Sequence, residues 1–232
     1  MFKPDTSRIG RILSLATALS CLVASGAHAQ ENSAAYPELA AALQAAGQGE
    51  AVLVELEKIS PFDETQVSRT YREERFETLL NLIRAEGAVC NDEGGAHEPN
   101  PVRVPSNPQL NEAAYDHAKY LVEERKQIRA AGSPSSHSQT LTESPYFTGK
   151  GMGDRAKTAG YTGFTNGENF AGGNGNDVAG DSILMWFNSS SGHCSGMFSR
   201  NFDEFGFGAM NYINAEFHNN NEFKSIFMVG KK

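Results

Sequence analysis

Apolar positions recur at helical spacing in two long stretches of the 232-residue chain. Over 65–86, Tyr71, Phe76, Leu79, Leu80 and Ile83 fall on one side, Arg and Glu residues fall on the other, and Gly87 ends the run. Over 108–130 the period is stronger, carried by Leu110, Ala113, Ala114, His117, Ala118, Leu121 and Val122, and its small alanines permit close packing. Shorter helices are predicted over 154–159, stopped by Gly160, and over 179–189, which holds the single tryptophan, Trp186. Near the C-terminus the period drops to two. Phe205, Phe207 and Ala209, then Tyr212 and Ile213, read as a strand with Gly206 and Gly208 interleaved. A second strand is predicted over 225–229, and the Asn-rich loop between them makes a hairpin. The stretches 89–108 and 132–153 read as loops, and 166–180 as two Gly/Asn turns around one acidic residue, Glu168. Helices followed by a late antiparallel pair predict an α+β fold.

The N-terminus follows a different pattern. Lys3, Arg8 and Arg11 precede an apolar run over 12–24 too short to span a bilayer, and Ala27-His28-Ala29 fits the small-x-small cleavage rule. Residues 1–29 therefore read as a signal peptide, 30–64 as an N-terminal helical arm, and 65–232 as the folded domain. The expected localisation is secreted or periplasmic, with no transmembrane segment after cleavage. Ala18-Leu19-Ser20 fits a lipoprotein site at Cys21 poorly. The whole chain carries a net charge of −8 without Lys/Arg clusters, which argues against nucleic acid or an anionic membrane surface as partner. Cleavage leaves two cysteines, Cys90 and Cys194, an even number in an exported chain. A disulfide between them would close a loop of about 100 residues and stabilise by up to about 5 kcal/mol. Two free buried thiols are the alternative.

Candidate chemistry rests on histidine and carboxylate. His137 lies before Glu168 in sequence and His193 after it, with no local motif linking them. His117 sits on the apolar face of its helix and reads as a satisfied core histidine; His97 and His218 lie in polar loops and read as solvated. Trp186 reads as packing. Ser136 and Ser189 neighbour histidines, but no Gly-x-Ser-x-Gly elbow or triad order supports a serine hydrolase. Cys194 beside His193 would be a nucleophile only if it were not in a disulfide.

The succession LNEAAYDHAKYL, SSHS, DRAKTAGY, GENFAGG, MWFNSSSGHCSGMF and FGFG resembles the CAP superfamily: cysteine-rich secretory proteins, antigen 5 and pathogenesis-related 1 proteins. It is most similar to the bacterial branch of exported SCP-like proteins and spans roughly 76–229, about two-thirds of the chain. The resemblance implies a three-layer α-β-α sandwich with a central antiparallel sheet and a cleft where two histidines and one or two acidic residues converge. Carried over, these are His137, Glu168 on a turn aimed at the histidines, and His193. A second Glu, three residues after the tryptophan in animal and plant relatives, is Ser189 here, as is common in the bacterial branch. That branch often carries a Cys90–Cys194 pair. Asp154-Arg155 would fix the loop before Gly160-Tyr161, and Asn169 would stabilise a turn.

Two neutral imidazoles suit zinc, copper or nickel, zinc foremost, and Glu168 could ligate, stand behind a ligand or activate a bound water. No cofactor is required. The first expectation is a non-enzymatic binding module whose cleft takes a small apolar molecule, a peptide or an envelope component. The alternative is a metal-dependent, peptidase-like hydrolase with Glu168 as catalytic general base.

Overall fold

The computed structural model describes residues 68–90, 95–132, 135–175, 177–214 and 220–232. The signal peptide, the N-terminal arm, His218 and residues 65–67 of the first expected helix lie outside the described residues. Helix α1 is Arg69–Glu86, capped by the Ser68 side chain, which accepts from the Tyr71 amide; Gly87 ends it at a φ of 78°. A two-residue pair follows, β1 (Ala88–Val89) against β2 (Ala96–His97), inside the stretch expected to be a loop. Helix α2 is Pro108–Glu123, with proline in its first turn and the Asn107 side chain accepting from the Gln109 and Leu110 amides. The single helix expected over 108–130 is broken at Glu124, after which α3 (Arg125–Ala130) begins. Glu124 is buried there and accepts from the Ser144 hydroxyl at 2.5 Å, a tertiary contact that helical periodicity does not encode.

The remaining elements are α4 (Met152–Thr158), β3 (Phe164–Asn174), α5 (Val178–Phe187), α6 (His193–Phe198), β4 (Glu204–Asn214) and β5 (Asn220–Lys231). The fold is α+β. Its main sheet is antiparallel with order β3-β5-β4, so the last strand lies at the centre. The expected hairpin of β4 and β5 is present, with β5 longer than 225–229. Most of the segment expected to be two turns, 166–174, is instead part of β3, paired with β5 from Phe164 to Asn174, and its end already belongs to α5. A register shift between Thr165 and Gly167 absorbs the Asn-Gly turn signal, and pairing to the centre strand overrides the rest.

Helices cover both faces of this sheet. On one face Phe205, Phe207, Phe223, Phe227 and Ala171 pack with residues of α1, α5 and α6. Phe76 of α1 stacks on Phe207 at 4.1 Å, edge-on to Trp186 at 5.8 Å. On the other face Ile226 and Met228 pack with Leu110, Ala114 and Ala118 of α2 and Ala156 of α4. The alternation of β4 explains its glycines. A Cβ at Gly206 would lie 2.1 Å from the Leu110 carbonyl carbon, and one at Gly208 2.0 Å from the Tyr115 amide nitrogen. These two positions let α2 settle directly on the strand. A disulfide joins Cys90, beyond β1, to Cys194 in α6, with Cα atoms 5.7 Å apart.

Candidate functional site

Glu168 lies on β3 between Gly167 and Asn169. Phe170 packs on the α2 side of the sheet and Ala171 on the α1 side, so strand alternation puts Glu168 on the α2 side and Asn169 on the other. The expectation of a turn is corrected here: an edge strand carries Glu168. Two elements meet its carboxylate. The loop before α4 supplies His137, whose Nδ1 lies 3.0 Å from Oε1. Helix α4 supplies Arg155, whose Nη2 donates to Oε2. Glu168 and Arg155 side chains are 2% and 0% exposed, while the His137 side chain is 43% exposed and forms the accessible part of the cluster.

Arg155 does more than neutralise charge. Its Nη1 also donates to the backbone carbonyls of His137 and Lys150, at 3.3 Å each. Burial by itself would raise the Glu168 carboxyl. The hydrogen bond from His137 and the Arg155 charge outweigh it and hold the group below the usual carboxylate range. Glu168 is therefore an ionised carboxylate with both oxygens engaged.

His117 of α2 lies beside this cluster, fully buried. Its Nε2 is 2.8 Å from the Ser136 carbonyl, which can only accept, so Nε2 carries the proton. Its Nδ1 faces the Gln139 amide nitrogen at 3.4 Å, and the Gln139 oxygen accepts from the Thr148 amide at 2.7 Å. Burial first, and the Arg155 charge second, push the imidazole down to about 4. The satisfied core histidine read from the apolar stripe is what stands there.

His193 opens α6 after Gly192, whose φ of 79° turns the chain into the helix. Its Nδ1 lies 2.9 Å from the Ser189 hydroxyl, and its carbonyl accepts from the Asn169 side chain at 2.9 Å. The four cleft residues named from the sequence thus form two pairs, His137 with Glu168 and Ser189 with His193. Successive residues of β3, Glu168 and Asn169, fix one pair on each side of the strand. Among the described residues no group of three or more His, Cys, Asp or Glu is placed to hold a metal ion. Asn169 braces α6 rather than a turn. Trp186 is buried packing and also donates to the Phe170 carbonyl at 2.9 Å. His97 is not simply solvated: its ring stacks on Phe198 at 5.0 Å.

Sequence reasoning assigns Arg155 a loop-fixing role and misses it as the counter-ion of Glu168. The available signal is a cation inside a short helix flanked by Met152, Ala156 and Tyr161, where burial requires a partner.

No protein-family model and no curated protein matches the chain. Among solved structures it is similar to an outer surface protein from Borrelia burgdorferi, at 15% identity and a TM-score of 0.34, over 75% of this chain and 96% of that one. Among the described residues no helix is long and apolar enough to cross a membrane.

Proposed function

We propose that the protein is an exported, CAP/SCP-like, non-enzymatic binding module whose cleft, at the His137–Glu168 pair, recognises an apolar molecule, a peptide or an envelope component. The motif succession and the leader-like N-terminus support this reading, and the Cys90–Cys194 bridge suits an oxidising compartment, secreted or periplasmic. The observation that carries the non-enzymatic part is the double engagement of Glu168 by His137 and Arg155. A general base works best with a carboxyl poised near the working pH. This one is held below the usual carboxylate range with each oxygen already accepting a hydrogen bond, which weakens it as a base.

A divalent ion, zinc foremost, would meet imidazoles whose Nδ1 atoms are already engaged. Nδ1 of His137 is spent on Glu168 and Nδ1 of His193 on Ser189. His137 would offer Nε2, with Glu168 orienting it from behind rather than ligating. His193, paired with Ser189 on the other side of β3, would have to reach around the strand to share the ion. Zinc would then complete its shell with water or with the bound molecule.

The test is metal content of the exported protein purified without chelator, extraction and mass spectrometry of co-purifying small molecules, and peptide turnover with and without zinc. The expected result is a co-purifying or titratable ligand and no turnover. Turnover that needs zinc and disappears in Glu168→Gln would replace this reading with the hydrolase.

A further inference from the structure

We propose that Arg155 is the positioning residue of the His137 site, holding that histidine by backbone and ring together and so deciding which ring nitrogen a ligand meets. The backbone hold is direct, through the Nη1 bond to the His137 carbonyl at 3.3 Å. The ring hold runs through Glu168, which takes Nη2 of Arg155 on one oxygen and Nδ1 of His137 on the other. Arg155 has no exposed surface, and among the described residues its buried Nε has no hydrogen-bond partner. The cost of that orphan donor is tolerated where the two terminal nitrogens do all the gripping. A lysine, with one nitrogen, cannot span the carboxylate and two carbonyls in this fixed fork.

The consequence is a defined tautomer. An ionised carboxylate only accepts, so the hydrogen bond to Glu168 requires the proton on Nδ1 of neutral His137. Nε2 then carries the lone pair on a ring that is 43% exposed. The site offers an imidazole acceptor, the chemistry that takes a borderline divalent cation or a donor group of an organic ligand. Only that last use rests on the proposed cleft function; the tautomer does not.

Glu168→Gln separates the possibilities. The amide has one carbonyl oxygen and one NH2 group. If Arg155, a pure donor, controls this position, it takes the oxygen, and the NH2 faces Nδ1. Nδ1 must then accept, and the proton moves to Nε2. The measurement is nitrogen NMR of metal-free protein with isotope-labelled histidine at about pH 8, where an ordinary imidazole is neutral. His137 is assigned by its loss in His137→Gln. The expected result is a proton on Nδ1 in the parent and on Nε2 in Glu168→Gln, with zinc affinity falling about 10- to 100-fold in the variant. A parent proton on Nε2, or one retained on Nδ1 in a folded Glu168→Gln, overturns the proposal. Should the variant fail to fold, the parent spectrum decides alone. A parent that shows the expected tautomer but does not bind zinc retires the metal part of the proposed function and leaves the positioning role standing.

Discussion

Acid should weaken this protein in part through His117, and that part can be isolated. Its imidazole is fully buried, with Nε2–H donated to the Ser136 carbonyl. The fold lowers its pKa from 6.5 to about 4, by burial first and the Arg155 charge second. Because the unfolded chain binds a proton that the folded one refuses, the stabilisation is complete above the unfolded value. It is lost as pH falls from 6.5 towards 4. At about 1.4 kcal/mol per pH unit, that window removes about 3 kcal/mol, a large part of an ordinary domain's stability. His117→Gln keeps a polar side chain but cannot titrate. It carries a constant penalty of about 1–2 kcal/mol if the amide reaches the Ser136 carbonyl poorly. Urea unfolding of the parent and variant, followed by fluorescence of the buried Trp186, gives both stabilities at each pH. Other titrating groups are common to the two proteins and cancel in the difference. The parent should lose about 3 kcal/mol more than the variant between neutral pH and about pH 4. Parallel pH profiles would refute the assignment and place the acid-labile group elsewhere.

Asp181 should act in the opposite sense: burial, then the neighbouring Asp177, raise its carboxyl from 3.8 to about 6, so its ionisation costs stability as pH rises through that window. Asp181→Asn should gain about 1–3 kcal/mol at neutral pH and almost nothing near pH 4, read by the same urea series; an equal gain at both pH values would count against it. Loss of the bridge in Cys90→Ser with Cys194→Ser should cost about 4–5 kcal/mol, measured as the shift in urea midpoint, since the cysteines are 104 residues apart. Gly208→Ala should destabilise by about 3 kcal/mol, because its Cβ would meet helix backbone at 2.0 Å; a melting temperature within a degree or two of the parent would mean α2 does not rest on β4 as described. Ser189→Glu places a carboxylate where the Ser189 hydroxyl now meets His193, so it should enlarge the zinc-induced shift in melting temperature; an unchanged shift would remove His193 from the ion's surroundings.

What the sequence discloses, and what it hides, follows from the range of the forces involved. Helix α1 is legible because its stripe and the stop at Gly87 are local, whereas its start, capped by Ser68, is not read from them. The β4 strand is legible for the same reason, although the purpose of Gly206 and Gly208 is not: only α2 pressed against the strand explains them. β3 escapes a local reading because Asn166-Gly167 and Gly172-Gly173 are genuine turn formers. Their preference amounts to about 1 kcal/mol each, and a full ladder to β5 exceeds it. That ladder joins residues some 60 positions apart, so no window along the chain contains it.

The site shows the same division. His137 lies beside Glu168, which a strand and not a turn carries, while His193 pairs with Ser189. Arg155 could not be matched to its carboxylate because the chain offers 28 acidic residues and no spacing rule to choose among them. Yet the choice has consequences for chemistry. With Arg155 on its second oxygen, the carboxylate stays ionised and passes its constraint outward to the ring. That contact, rather than the His-Glu-His inventory, is the observation on which the proposed non-enzymatic reading rests.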